Sequence, residues 1–181
     1  MSEKCNLPPK LQLPNCIKID DTFEARQFDA NDSNDIVKIA TDTAVRKYIP
    51  WANSVSDLQS ATEQIVKFNE QYENGFSIRY GIYNNENSCI GYFGVWTDTN
   101  EPNSLQTGTA ILPEYRGMGL ANRCRNKIVQ IATEQGYSKL TSFVAHSNTE
   151  SHSMLIKAGY KPTGILNAHG EEKYELSLEN E

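Results

Sequence analysis

LQTGTAILPEYRGMGLANRCRNKIVQIATEQG, residues 105–136, decides how the rest of the chain is read. Its first eight residues, from Leu105 to Leu112, are rich in β-branched and small side chains and predict a strand. Pro113 stops that strand because it cannot donate to a ladder. The turn Arg116-Gly117-Met118-Gly119-Leu120-Ala121 then feeds a helix whose positions Leu120, Cys124, Ile128, Ile131 and Gln135 keep nearly one face. No Ser, Thr, Asp or Asn stands just before its first turn to satisfy the free N–H groups there. Two glycines and an arginine stand there instead. Bare N–H groups at the positive end of a helix dipole, beside a guanidinium, make a socket suited to phosphate. A plain strand-turn-helix, with Gly for tightness and Arg for solubility, is the competing reading. A dinucleotide site is excluded: Asn122 breaks the G-x-G-x-x-G pattern, and the next strand ends at His146-Ser147-Asn148 without an acid.

The bulk properties narrow the classes further. The 181 residues predict one domain with a sizeable core, residues 16–181, preceded by an arm over residues 1–15 that holds three of the seven prolines. The net charge is −6 and the basic residues are scattered, which argues against nucleic acid and is compatible with cationic amine substrates. No run approaches the roughly 18 apolar residues of a membrane span, and MSEKCNLPPK has no apolar signal core, so the expectation is a cytoplasmic protein away from membranes. Cys5, Cys16, Cys89 and Cys124 show no metal spacing and are expected as free thiols; no metal site is expected.

Along the chain, Cys16 to Phe28 predicts an opening strand with a turn at Asp20-Asp21. Asn31-Asp32-Ser33 offers caps for a helix ending before Tyr48-Ile49-Pro50-Trp51. Ser56 is expected to cap a second helix carrying Leu58, Ala61, Ile65, Phe68 and Tyr72, closed by Asn74-Gly75. Phe76, Ile78, Tyr80 and Ile82 alternate along one strand. Ile90 to Trp96, apolar on both faces, marks a central one. After the long helix come a strand from Lys139 to His146, a short helix opened by a Ser147-x-x-Glu150 capping box, and a hairpin around Ala168-His169-Gly170. By themselves these elements establish only a mixed α/β sheet.

Two motifs carry a family resemblance. Arg116-x-x-Gly119-x-Ala121, preceded by Ile111-Leu112-Pro113-Glu114-Tyr115, resembles the acyl-CoA-binding pattern Q/R-x-x-G-x-G/A of the GNAT N-acetyltransferases. Asn148-Thr149-Glu150-Ser151 with Ala158-Gly159-Tyr160 is similar to the N-x-x-S…G-F/Y segment of their RimJ/RimL branch. The element order β-α-α-β-β-β-α-β-α-β-β also fits, so the resemblance spans residues 22–178. It implies an α/β (α+β) fold: a central mixed, mostly antiparallel sheet of about seven strands flanked by about four helices. The sheet would splay between its fourth and fifth strands, where residues 110–112 part from residues 145–147.

The resemblance further implies acetyl-CoA as cofactor. Pantetheine would pair with the backbone of Ile111 and Leu112. The pyrophosphate would rest on the N–H groups of Gly117, Met118, Gly119, Leu120 and Ala121, with Arg116 and Asn122 alongside and Asn148 assisting. Ser151 falls where RimL-type enzymes carry a serine suggested to protonate the departing thiolate; an exposed helix-start serine is the alternative. The RimI-type acid and base positions hold Leu155 and Phe143, which cannot serve. His146, at the splay point, is the side-chain base candidate, with Asp98 and Glu101 as further carboxylates. Trp51, Tyr80, Trp96 and Gln106 border the expected acceptor cleft, core packing being the alternative for the aromatics. The implied function is acetyl transfer to a primary amine, foremost a protein N-terminal α-amine, by a monomer or homodimer. The alternatives are a small-molecule acetyltransferase of polyamine or aminoglycoside type and a non-catalytic acyl-CoA sensor.

Overall fold

The computed structural model describes residues 11–98 and 100–178. The chain runs through β1 (Cys16–Lys18), β2 (Phe23–Gln27), α1 (Ser33–Thr41), α2 (Thr43–Tyr48), α3 (Leu58–Glu73), β3 (Ser77–Asn84), β4 (Cys89–Thr97) and β5 (Ser104–Ile111). It continues with α4 (Leu120–Glu134), β6 (Lys139–Ala145), α5 (Thr149–Lys157), β7 (Lys161–Leu166) and β8 (Glu171–Ser177). The strands form one sheet in the order β1-β2-β3-β4-β5-β6-β8-β7. Every neighbouring pair is antiparallel except β5 and β6.

The mixed, mostly antiparallel sheet is as expected, with one strand and one helix more than the sequence indicated. The opening strand is two, because Asp20 Oδ1 accepts from the backbone N–H groups of Thr22 and Phe23 and turns the chain back on itself. The splayed pair is therefore fifth and sixth in the sheet. The first helix is also two. Asp42 adopts an extended backbone and its side chain accepts from Val45 N–H, ending α1 and opening α2. Two cap assignments shift by one residue. Asp57, in a capping box with Ser60, opens α3 in place of Ser56. Asn148 opens α5 in place of the Ser147/Glu150 box.

Strand alternation gives the sheet two covered faces. One face packs Ile78, Tyr80, Ile82, Phe93, Val95, Leu140 and Val144 against α4 residues Leu120, Cys124, Ile128 and Ala132. That helix stripe ends on Ala132; Ile131 is half-buried and Gln135 exposed. The other face sets Tyr83 and Tyr92 under α1, α2 and α3. Phe76 falls outside β3 and is exposed. Of the proline-rich start, Leu11 and Leu13 are buried against the α4 side, and Tyr80 Oη donates to the Pro14 carbonyl; Cys5 lies outside the described residues. Cys89 and Cys124 are buried free thiols, each pushed up to about 12 by burial, and Cys16 is an exposed one. Among the described residues no helix is long and apolar enough to cross a membrane.

A bidentate ion pair locks the start of α1 to β2. Arg26 Nη1 and Nη2 donate to Asp32 at 2.8 and 2.9 Å, above the Tyr83 ring, and Asp29 N–H adds a third bond at 2.7 Å. Burial disfavours the Asp32 carboxylate, but these donors outweigh it and hold its pKa below the usual range. A depressed pKa contributes stability that is present above the unfolded value of about 3.9 and lost as pH falls through the folded one. Asp32→Asn should therefore cost ~3 kcal/mol in urea unfolding at pH 7. The difference from wild type should shrink below pH ~3.9 as the native carboxylate protonates.

Candidate active site

The site begins where the parallel pair fails. β5 and β6 stay in register only over Ser104↔Lys139, Leu105↔Leu140 and Gln106↔Thr141. Two hydroxyls then occupy the fork. Ser142 Oγ donates to the Thr107 carbonyl at 2.8 Å and lies 3.2 Å from Thr107 Oγ1. Beyond them opens a cleft of about 660 Å³. Leu112 N–H donates to the Ile90 carbonyl, so the alternation of antiparallel bonding turns the backbone groups of Thr107, Thr109 and Ile111 toward the gap. This corrects the expectation for Leu112, which is buried with its N–H already used, while Ile111 lines the cleft.

One wall is the turn before α4. Gly117 and Gly119 have φ of 75° and 72°, and a Cβ built at either meets nothing within 4 Å, so the surface above both is open. Gly119 opens α4 with no side-chain cap, whereas Asp42, Asp57 and Asn148 each cap their own helix. Arg123 N–H is the first to find a carbonyl, that of Gly119. The N–H groups of Leu120, Ala121 and Asn122 find none among the described residues. The Arg116 guanidinium is partly committed: Nε donates to the Ile111 carbonyl at 2.8 Å and Nη2 lies 3.5 Å from Asp42 Oδ1. It therefore fixes the turn to the end of β5 and to α2 as well as adding positive charge. Arg116, Gly117, Gly119, Leu120, Ala121 and Asn122 line the cleft; the Met118 side chain points out to solvent.

α5 forms the facing wall. Asn148 Oδ1 accepts from Ser151 N–H at 3.2 Å, and both residues line the cleft. His152 steadies this helix, its ring nitrogens meeting the Ala145 carbonyl at 3.1 Å and Tyr174 Oη at 2.6 Å. Across the other mouth, Tyr48 Oη donates to the Ser147 carbonyl at 3.2 Å, bridging α2 to the loop after β6.

Several expected site residues are elsewhere, for reasons of facing and register. His146 is exposed and outside the cleft lining, its ring 6.4 Å from that of His152. Tyr80 lies on the α4 face, fully buried, stacked on Phe93. Trp51 packs edge-on to Phe68 and against Tyr92. Trp96 pairs with Gln106, which is still on the closed side of the fork, and its ring lies beside the Arg79 guanidinium and Gly108. Asp98 accepts from Asn100 N–H. Glu101 binds Lys139 and Lys173, whose bonds hold its pKa below the usual carboxylate range. Sequence reasoning missed Tyr48, Thr107, Ser142 and Glu171 as lining residues.

A sheet splayed at its one parallel pair, with an unsealed helix start opening into the gap, defines a scaffold for an extended ligand ending in phosphate. An acetyltransferase (GNAT) domain matches residues 23–161, and the chain belongs to that family, whose members move acetyl groups from acetyl-CoA. A relative in Bacillus subtilis (strain 168), provisionally named as a ribosomal protein bS18-alanine N-acetyltransferase, is 29% identical over 98 residues. The match covers 54% of this chain and 63% of that protein, so it spans less than two thirds of the relative's length. The microcin C7 self-immunity acetyltransferase MccE, in complex with acetyl-CoA and AMP, superposes with a TM-score of 0.79 at 15% identity, over 91% of this chain and 97% of that one. RimL, a ribosomal L7/L12 α-N-protein acetyltransferase in complex with coenzyme A, gives 0.76 at 12% identity over 90% and 97%. These likenesses show the same fold.

The open left-handed glycine separates charge from shape. Gly119→Ala should lower stability by ~1 kcal/mol through backbone strain. Gly119→Asp, whose residue tolerates this conformation better, should cost less stability but place a carboxylate where an anion would rest. Calorimetric titration with coenzyme A should then show more than a tenfold loss of affinity for Gly119→Asp and a smaller loss for Gly119→Ala.

Proposed function

We propose that this chain is an acetyl-CoA-dependent N-acetyltransferase whose acceptor is a primary amine, in particular a protein N-terminal α-amine. The observation that carries the reading is that the unsealed start of α4 and the unpaired edge of β5 open into one cleft. The residues fit the cofactor. The N–H groups of Leu120, Ala121 and Asn122, with Arg116, would hold its pyrophosphate, each charge–dipole contact contributing ~0.3–1 kcal/mol. The gap-facing groups of Thr109 and the N–H of Ile111, whose carbonyl Arg116 already holds, would pair with its pantetheine amides as an added strand does. Bound acetyl-CoA supplies an activated thioester.

The chain's own contribution is then placement. Holding amine and thioester in register supplies several kcal/mol, on the order of 7–11 in the best intramolecular cases. An α-amine, with a pKa of ~8, needs little help to lose its proton, which suits a cleft into which His146 does not reach. Ser151, in the first turn of α5, is the hydroxyl we assign to proton donation toward the departing sulfur. Protein acceptors appear in both names, an alanine of ribosomal protein bS18 for the Bacillus subtilis relative and the α-N of ribosomal L7/L12 for RimL, which supports a protein α-amine as acceptor here.

Thiol release from acetyl-CoA tests this directly, with an alanine-initiated peptide, the same peptide already N-acetylated, spermidine and an aminoglycoside. Release with the free peptide alone is expected. Release with spermidine or the aminoglycoside instead makes the enzyme a small-molecule acetyltransferase, and release with none makes the chain a sensor. Arg116→Glu should weaken acetyl-CoA binding at least tenfold, ~1.4 kcal/mol. Ser151→Ala should lower kcat by ~10²-fold while acetyl-CoA affinity stays within about twofold.

A further inference from the structure

Strand alternation divides the cleft between the two faces of the sheet. Thr107, Thr109 and Ile111 of β5 and Ser142 and Val144 of β6 belong to the face covered by α4 and α5. Gly108 and Ala110 of β5 and Phe143 and Ala145 of β6 belong to the opposite face, where α2 contributes Ala44, Val45, Tyr48 and Ile49. The anion socket is on the first face. The second face is the side left for the acceptor, and its walls are mostly apolar.

Glu171 is the acidic residue of that second face which lines the cleft. It opens β8 opposite Ala145, the last residue of β6, and shares its face with Lys173 and Glu175. The neighbouring acids there are neutralised: Glu101 binds Lys139 and Lys173, and Glu175 binds the same two lysines. Glu171 has no cation partner among the described residues. Its position is nonetheless fixed. Asn167 Nδ2 donates to Glu171 Oε2 at 2.7 Å, and Asn167 Oδ1 accepts from Glu171 N–H at 3.0 Å. The other cleft-lining acid, Glu150, sits exposed on α5, on the cofactor side.

We propose that Glu171 is the specificity-determining residue that receives the acceptor as its ammonium ion, which gives one proton to solvent water before the neutral nitrogen attacks, a reading that rests on the acetyltransferase function proposed above. A single carboxylate held between apolar walls attracts one cation more strongly than it would in water. Phe143 and Ile49 offer the adjoining carbon chain an apolar surface. Among the described residues Glu171 is the one acid of this face that lines the cleft, so it matches a singly charged amine; Lys157 of α5, which also lines the cleft, would repel the further ammonium groups of a polyamine.

The test separates this claim from the function it rests on. Butylamine, cationic at neutral pH, and butan-1-ol, its uncharged counterpart, are titrated into the full chain loaded with coenzyme A, followed by NMR shifts of backbone amides. Butylamine should bind at least tenfold more tightly than the alcohol and shift the amides around Ala145 and Glu171. Glu171→Gln should abolish that preference while coenzyme A affinity stays within twofold, and should raise KM for the amine found by thiol release at least tenfold. A Glu171→Gln protein that keeps the preference within twofold overturns the assignment, as does one that loses coenzyme A binding in parallel. Failure of the wild-type chain to bind coenzyme A would instead overturn the acetyltransferase reading, and the butylamine titration on the unloaded chain would still decide the role of Glu171.

Discussion

A parallel strand pair inside an otherwise antiparallel sheet persists only while both strands keep step, and here it lasts three residues. Thr107 and Ser142 put hydroxyls into the fork, 3.2 Å apart, and Ser142 Oγ donates to the Thr107 carbonyl at the point of separation. The next gap-facing groups, on Thr109 and Ile111, are left without a strand beside them. A backbone polar group that loses water without gaining a partner is costly, so such an edge persists only where water or a ligand meets it. The start of α4 repeats the arrangement. Among the described residues, no side chain seals the three amides that point outward from its first turn, whereas α2, α3 and α5 each carry a side-chain cap. The two sets share a cleft because Arg116 takes up the Ile111 carbonyl, leaving the Ile111 N–H and Thr109 open, and so ties the turn before α4 back to the end of β5.

Charge is distributed to match. The α4 side of the cleft carries the helix dipole and Arg116, both favourable to an anion. The α2 side carries Glu171 amid apolar walls, with Tyr48 reaching across to Ser147 above it. A thioester held between them would meet its phosphates at one end and an amine at the other. Cys89 and Cys124 lie outside the cleft lining, buried in the core with pKa values raised to about 12.

Legibility in the sequence followed the range of the interactions. The socket could be read because it is local: two glycines, an arginine and a missing cap occupy consecutive positions. The central strand β4 announced itself by being apolar on both faces. The turn at Asp20 was legible, although not that it parts two paired strands; the break at Asp42 was harder, since it depends on one carboxylate turning to a nearby N–H group without a glycine or proline to signal it. Facing was harder still. Tyr80 and Trp96 point to opposite faces, but they lie on different strands, so only the register of β3 on β4 and the sheet order show which of them meets the cleft. His146 was placed at the splay point by its position on the chain, yet it lies just past the end of β6 and turns to solvent. Glu171 escaped notice because its place at the cleft comes from pairing with Ala145 across a long connection, and because among the described residues it has no lysine partner such as Glu101 and Glu175 possess.

Hydrogen exchange at individual amides, with and without acetyl-CoA, tests the central claim most directly. If the open edge and the unsealed helix start exist to hold the cofactor, acetyl-CoA should slow exchange at Thr109, Ile111, Leu120, Ala121 and Asn122 together, while Leu112, already bonded to Ile90, changes little. Protection confined to other segments, or slow exchange at the start of α4 before any ligand is added, would contradict the account.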